Sequence, residues 1–299
     1  MKKLLLIVNP NAGKGGFRTG FGDVIHSFHQ AGFRTTVVFT DKHGDTPRIA
    51  AEEAANYDRI VCVGGDGTLG ETVSGLMTVD RRPELGYIPM GTTNDCATTL
   101  GLSHDPILAG HTAAFGLPIP LDVGRMNGAN YFTYVAAYGA FTEVSYQTPQ
   151  DQKNALGRVA YFLDALRRLP NLTHRWATVE YDGGVLEDDF IFGAVTNARS
   201  VAGLIHLGDD KGVSLCDGLF EIILIRTPET LLQLGAVVTD LLANTFDSEY
   251  VTLLQSRKVR FTFRDPVAWT LDGEDGGSHK TVLCENIPHA IQMIVNNNL

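Results

Sequence analysis

The stretch Val61-Cys62-Val63-Gly64-Gly65-Asp66-Gly67-Thr68-Leu69 decides how the rest of the chain is read. An apolar, largely β-branched run ending at Val63 stops at two glycines, an aspartate, a third glycine and a threonine. Glu71-Thr72-Val73-Ser74-Gly75-Leu76-Met77 then continues with helical character. Strand, tight turn and helix start follow in that order, which puts unpaired backbone amides and the positive end of a helix dipole behind a loop of little bulk. Phosphate oxygens suit such a loop, because glycine lets a ligand lie on the backbone and tolerates positive φ. By itself the pattern is equally that of an ordinary strand-to-helix loop in which Asp66 only caps the helix.

Two further loops of the same texture change that balance. The N-terminal residues 2–8 read as a continuous apolar strand of the kind buried on both faces in a parallel sheet, and they run into Asn9-Pro10-Asn11-Ala12-Gly13-Lys14-Gly15-Gly16. This is not a Walker A loop, because Gly15 stands where Ser or Thr would follow the lysine, and it is not a GxGxxG fingerprint. The spacing then predicts a helix over 17–31, a strand over 34–40, a helix over 45–56 and a short strand over 85–89. That last strand ends at Met90-Gly91-Thr92-Thr93-Asn94-Asp95-Cys96-Ala97. In an open α/β sheet the carboxyl ends of the strands form the ligand crevice, so the three loops can converge on one ligand.

From about Asp122 the texture changes, with helices rare and alternating or aromatic strands taking over. Strands are predicted at 131–138, 175–181, 187–196, 218–226, 258–264 and 268–272, with a hairpin turn at Asp182-Gly183-Gly184 and helices at 155–169 and 228–243. The helix at 155–169 carries Arg158, Arg167 and Arg168 among leucines, which fits either packing on its own sheet or docking on an anionic membrane. Residues 289–295 read as a final strand that belongs to either half. The expectation is therefore two domains, an α/β nucleotide-binding domain at 1–122 and a β-sandwich substrate domain at 123–299, the tail from about 288 being free to pack on the first.

Composition narrows the function. With 24 basic and 34 acidic residues the net charge is −10, which argues against a general nucleic-acid binder. Cys62, Cys96, Cys216 and Cys284 show neither CxxC spacing nor a disulfide framework, which fits a reducing cytoplasm. Leu4-Leu5-Leu6-Ile7-Val8 is too short for a signal peptide, and no window has the ~20 apolar residues that span a bilayer, so any membrane contact is expected to be peripheral. The histidines lack metal-ligand spacing and there is no G-x-S-x-G elbow. Of the Asp-Gly pairs at Asp66, Asp182, Asp217, Asp272 and Asp275, most are expected to be simple turns. Hairpin geometry accounts for Asp217-Gly218. Asp272-Gly273-Glu274-Asp275 is more unusual: its crowded carboxylates read as a solvated acidic loop, or as a place where pKa values rise or a cation binds.

Asn9-Pro10-x-x-Gly13, Gly64-Gly65-Asp66-Gly67-Thr68, Gly91-Thr92-x-Asn94-Asp95, Asp217-Gly218 and Asp272-Gly273-Glu274 occur in that order, and the whole chain in this respect resembles the diacylglycerol kinase catalytic-domain family, in particular its soluble bacterial lipid kinases. The resemblance implies an N-terminal nucleotide-binding α/β domain, NAD kinase-like with a parallel-type sheet, a C-terminal antiparallel β-sandwich, and ATP between them. It implies that Asn9, Pro10, Asn11, Ala12, Gly13, Thr40, Gly64, Gly65, Asp66, Gly67, Thr68, Glu71, Gly91, Thr92, Asn94 and Asp95 hold the nucleotide. Asp66 would act near Mg2+ and the γ-phosphate, and Asp272 or Glu274 would take the proton of the acceptor hydroxyl. Ser214, Asp217 and Leu219 fall where some relatives bind a structural Mg2+, two of them through backbone carbonyls. Gly70, Thr93 and Cys96 depart from residues usual in relatives, which bears on pocket shape and nucleotide affinity, not on the carboxylates.

The expected function is an ATP-dependent lipid kinase, most readily one converting diacylglycerol to phosphatidic acid at a membrane surface, with a homodimer allowed. The rivals are an NAD kinase-type phosphotransferase, which shares the Gly-Gly-Asp-Gly-Thr turn, a phosphofructokinase, which needs more cations than the chain offers, and a nucleotide-binding sensor without turnover. Phosphoryl transfer asks mainly for positioning and charge neutralisation, which the motifs supply.

Overall fold

The computed structural model describes residues 1–12, 20–42, 44–91, 94–139, 175–198, 200–201, 205–207, 214–243, 246 and 248–296; Gly13, Thr92 and the helix predicted at 155–169 lie outside them. Two compact units are present, Met1–Val123 with Pro288–Leu299, and Gly124–Ile287.

In the first unit strands and helices alternate: β1 (Lys2–Val8), α1 (Phe21–Gln30), β2 (Phe33–Phe39), α2 (Asp45–Glu53), β3 (Arg59–Gly64), α3 (Asp66–Leu76), β4 (Glu84–Pro89), α4 (Asp95–Thr99), α5 (Pro106–Phe115) and the start of β5 (Leu117–Met126). β1 pairs parallel with β2 and β3, and β3 pairs parallel with β4. The buried apolar runs Leu4 to Val8 and Ile60 to Gly64 explain this, because strands covered on both faces carry apolar residues at successive positions. Val8 lies opposite Val63 and Gly64 opposite Pro89, so β1, β3 and β4 end level with one another. Their side chains pack with Val24 and Phe28 of α1 and Ala109 and Ala113 of α5 in one core.

Among the described residues, Arg59 is the one buried cation in this layer. It is 5% exposed, donates to Glu84 through Nε at 2.9 Å and Nη2 at 2.6 Å, and reaches the carbonyls of Ala113 and Ala114 at 2.6 and 3.0 Å. The guanidinium thus closes the end of α5 against the sheet. The final strand, which the sequence could not allocate, resolves here: β15 (Glu274–Val295) sends its last residues into the first unit, where Met293 pairs parallel with Leu85.

The second unit is antiparallel. Its strands are the end of β5, β6 (Asn130–Phe132), β7 (Val135–Gly139), β8 (Arg175–Tyr181), β9 (Gly184–Thr196), β10 (Ser200–Val201), β11 (Ile205–His206), β12 (Phe220–Arg226), β13 (Val251–Ser256), β14 (Lys258–Leu271) and the first part of β15, with α6 at Leu231–Ala243. β9 and β14 are long, and each gives one end to β8 and the other to β7. Between them lies an aromatic core that includes Tyr138, Phe190, Phe261, Phe263 and Trp269, the Tyr138 and Trp269 ring centroids being 4.9 Å apart.

Three expectations need correcting in this unit. The predicted strand at 131–138 is two strands, broken at Thr133-Tyr134. The separate strands at 258–264 and 268–272 are one, β14, whose pairing with β15 shifts register between Thr262 and Val267. And among the described residues Asp217-Gly218 has no strand at 214–216 to make a hairpin with; it is a turn leading into β12, with Asp217 Oδ1 accepting from the Leu219 amide at 3.0 Å. The Asp182-Gly183 turn does join β8 to β9, with Tyr181 opposite Gly184.

Candidate functional site

In the first unit the level strand ends carry the three loops into contact. Asn9 follows β1, donates Nδ2 to Thr68 Oγ1 at 3.3 Å and accepts the Asn11 amide on Oδ1 at 3.0 Å. Thr68 lies in the first turn of α3, so the loop after β1 is tied to the helix that opens the loop after β3. Gly65 and Gly91 touch across the other side: a Cβ on Gly91 would lie 2.7 Å from Gly65 Cα and 2.7 Å from Asn94 Oδ1. Only glycine permits that approach. Asn94, 4% exposed and at φ 51°, closes the loop after β4, accepting the Gly91 amide at 2.8 Å and donating to the Gly91 carbonyl at 2.9 Å.

Asp66 is the seam between the β3 and β4 loops. Its Oδ2 accepts the Asp95 amide at 3.1 Å and its Oδ1 the Cys96 amide at 3.2 Å, so it caps the short helix α4 rather than α3, on whose first residue it sits. Burial pushes its carboxyl above the ordinary aspartate range, against the pull of the Cys96, Asp95 and Asn94 amides and of His104. His104, which accompanies Thr98 at 3.3 Å, is a neighbour that no motif announced. The amides of Asp66, Gly67 and Thr68 open α3 and have no partner within the helix, which is the arrangement that receives phosphate oxygens. Thr40 is buried just beyond β2, its amide donating to the Val8 carbonyl at 3.0 Å, and Glu71 is half-buried on α3. Pro10 is exposed, Ala12 half-buried, and Gly64 is packed against Thr68.

The second unit holds the remaining predicted residues. Asp272 is no solvated acidic residue: it is 8% exposed and accepts four hydrogen bonds. Oδ2 takes the Thr133 amide at 2.6 Å and the Thr133 hydroxyl at 2.7 Å, and Oδ1 takes the Tyr134 and Val135 amides at 3.0 Å each. This demand for three consecutive amides is what breaks the strand at 131–138. Asp272 and Gly273, at φ 49° and 88°, make the two-residue turn that pairs Leu271 with Glu274, the mirror-image turn that asks for Asp-Gly. Burial pushes the Asp272 carboxyl upward, against those same hydrogen bonds. Glu274 is exposed, and no hydrogen bond engages its carboxylate among the described residues.

Ser214, Asp217 and Leu219 lie together ahead of β12. Ser214 Oγ accepts the Cys216 amide at 3.4 Å, and the Leu219 carbonyl accepts Asn286 Nδ2 at 3.1 Å. Two residues on, Glu221 is 1% exposed, and its carboxyl is pushed up to about 7, chiefly by burial and secondarily by the charge of Asp217. Among the described residues no group of three or more His, Cys, Asp or Glu side chains is assembled for a metal. Any cation held here would therefore rely on carbonyl oxygens and water beside one or two carboxylates. No described helix is long and apolar enough to cross a membrane.

Three strand-end loops joined at the start of α3 in one unit, and a carboxylate-bearing antiparallel unit as the other, are what the structure shows, and comparison with known proteins gives the class and the family. Residues 3–126 match the diacylglycerol kinase catalytic domain and residues 136–295 the YegS C-terminal NAD kinase beta sandwich-like domain. The chain is 34% identical over 279 residues to a diacylglycerol kinase of Bacillus subtilis, spanning 93% of this chain and 91% of that one. It is 33% identical over 281 residues to a diacylglycerol kinase of Staphylococcus carnosus, spanning 92% and 90%. A solved structure of a protein proposed to be a diacylglycerol kinase, from Bacillus anthracis, superposes with a TM-score of 0.83 at 27% identity, over 100% of this chain and 98% of that one. The chain belongs to the diacylglycerol kinase catalytic-domain family.

Proposed function

We propose that this protein is an ATP-dependent lipid kinase that transfers the γ-phosphate to the free hydroxyl of diacylglycerol, giving phosphatidic acid. The observation that carries the reading is the cradle itself: Asn9 bonded to Thr68, Gly65 against Gly91, and Asp66 joined to Asp95 and Cys96 fix three strand-end loops around the open amides of α3. Backbone amides fixed in advance supply the positioning and charge neutralisation that phosphoryl transfer needs. The names of the relatives supply the acceptor class.

In this reading Asn9 to Ala12, Gly64 to Thr68, Glu71, Gly91, Asn94 and Asp95, with Thr40, surround the nucleotide; Gly13 and Thr92, outside the described residues, belong to the same loops. Asp66 would lie beside a magnesium ion accompanying ATP, which would supply charge neutralisation for the phosphates. Asp66 orients the reacting end of the nucleotide. Asp272 and Glu274 share one turn, and one of these two carboxylates is the base that takes the proton of the acceptor hydroxyl. The apolar acceptor gains about 0.8 kcal/mol per methylene buried, which provides affinity without specifying chain length. The lipid is met at a membrane surface by peripheral contact, in the cytoplasm, and a homodimer is compatible with the fold.

Asp66→Asn tests the role of the seam. The isostere keeps an acceptor for one of the two α4 amides, so ATP binding measured by calorimetry should survive, while phosphate transfer should fall by roughly 10²-fold or more as the reacting end loses its orientation. Transfer at the wild-type rate with a lowered Tm would make Asp66 a helix cap and nothing more.

A further inference from the structure

α5 is built the wrong way round for a helix that serves only its own core. Its buried residues are Ala109, Gly110, Ala113 and Ala114, while Ile107, Leu108 and Phe115 stand 39%, 59% and 41% exposed. The small residues have a packing reason. A Cβ on Gly110 would lie 2.8 Å from Val24 of α1, and one on Gly86 of β4 would lie 3.0 Å from the Ala113 Cβ, so bulk on this face would lift the helix off its neighbours. The large residues have no such reason, since a surface helix ordinarily turns charged or polar side chains to water. From Pro106 to Leu121 the chain carries no Asp, Glu, Lys or Arg at all.

The exposed side chains form one patch. Ile107, His111 and Phe115 recur at every fourth residue, and Leu108 lies beside them on the same face, three residues before His111. The His111 and Phe115 ring centroids are 4.7 Å apart. Leu117, 56% exposed, continues the patch into the start of β5. The fold fixes both ends of it. A Cβ on Gly20 would meet Ile107 at 2.8 Å, which places one end at the start of α1, and Arg59, bonded to the Ala113 and Ala114 carbonyls, holds the other.

Size and the lack of polar groups decide what covers this face. Four residues exposed to that degree present on the order of 400 Å² of apolar surface, a size that on a monomer often marks a contact site. A stable dimer buries about 800 Å² per partner and makes about one hydrogen bond per 100–200 Å². Between Pro106 and Leu121 only His111 and Thr112 have polar side-chain atoms to offer. A bilayer asks neither for that area nor for pairing, because apolar side chains on one face of a helix enter the boundary between headgroups and acyl chains.

We propose that this face of α5, with Leu117, is the surface by which the protein docks on a membrane, and that the lipid it enters is electrically neutral. The chain has a net charge of −10 and the patch has no lysine or arginine to draw in an anionic surface, so apolar insertion supplies the affinity. The proposal rests on the lipid-kinase reading for the reason to reach a membrane, and the binding itself is measured without turnover.

The test floats the full chain with phosphatidylcholine vesicles containing diacylglycerol, at low and at high salt. Wild type is compared with Leu108→Gln/Phe115→Gln, with Leu108→Trp, and with Leu232→Gln, which removes an 86% exposed leucine on α6. The altered side chains are exposed, and unfolding midpoints check that each variant folds. The expected result is wild-type flotation that survives high salt, affinity at least about tenfold weaker in the double variant, tighter in Leu108→Trp and unchanged in Leu232→Gln. Transfer to dioctanoylglycerol in solution stays at the wild-type rate in the double variant, whereas transfer to long-chain diacylglycerol in vesicles falls with the affinity. A wild type that does not float, or a double variant that floats as well as wild type, would overturn the docking surface. A wild-type dimer in light scattering that the double variant separates into monomers would overturn it too, and assign the face to a second copy. Flotation as expected with no transfer to either acceptor would overturn the lipid-kinase reading and leave the docking surface standing.

Discussion

Replacing Asp272 has a cost that the structure lets one work out bond by bond. Its two oxygens accept the amides of Thr133, Tyr134 and Val135 and the hydroxyl of Thr133, all buried. Asp272→Asn keeps one carbonyl-type oxygen, which still serves Tyr134 and Val135. Its amide nitrogen then faces the Thr133 amide, and the Thr133 hydroxyl can rotate to accept. One buried amide loses its acceptor, at about 1–3 kcal/mol. Asp272→Ala leaves all three amides without an acceptor, so the loss is at least about 3 kcal/mol. At roughly 2–4 °C per kcal/mol for a unit of this size, Asp272→Asn should lower Tm by roughly 3–10 °C and Asp272→Ala by more. Amide hydrogen exchange should show the damage locally, with protection lost at 133 in the first variant and at 133 to 135 in the second. Unchanged protection with unchanged Tm in both variants would refute the view that Asp272 holds this segment.

Other consequences are simpler. Arg59→Ala strands Glu84 and two α5 carbonyls, and should destabilise the first unit by about 3–5 kcal/mol in urea unfolding; a loss below 1 kcal/mol would mean the buried pair is slack. Gly91→Ala forces apart the loops after β3 and β4, at an overpacking cost of about 1–3 kcal/mol, so the KM for ATP should rise roughly tenfold or more with the fold retained. The raised Glu221 value means that the unfolded chain releases this proton first, so the folded state holds more protons between the ordinary 4.5 and about 7. Stability should therefore fall as pH rises through that window, by up to about 3 kcal/mol, and Glu221→Gln should lack that part of the slope. Parallel wild-type and Glu221→Gln stability curves from pH 4.5 to 8 would contradict this.

The pattern of residues was most readable where one physical demand dominated. A short continuous apolar run stopped by a turn signal, as Leu4 to Val8 is by Asn9-Pro10, reads as a strand buried on both faces, and Tyr181-Asp182-Gly183-Gly184 has the turn chemistry of a hairpin. Boundaries set by distant partners were not readable. Nothing local in 131–138 says that the strand must open at Thr133, because the cause is an aspartate 139 residues further on. The same non-local contact turned an acidic loop into a buried anchor. α5 went unread because its alanine-rich stretch lacks a clear apolar stripe, although Asp105 followed by Pro106 is a sound helix start, with Asp105 accepting the amides of Ile107 and Leu108. At the site, glycine and aspartate positions were visible as motifs, whereas Thr133, which donates to Asp272, and His104, whose charge acts on Asp66, belong to no motif.

The central claim is the transfer of phosphate to a lipid hydroxyl, and one assay meets it directly. The purified chain is given ATP labelled in the γ-phosphate, with magnesium and mixed micelles of diacylglycerol, monoacylglycerol, sphingosine or polyprenol, and in parallel with NAD. The account predicts label in the lipid fraction, as phosphatidic acid where diacylglycerol is the acceptor, and none in NADP. Label confined to NADP, or appearing in no acceptor, would contradict it.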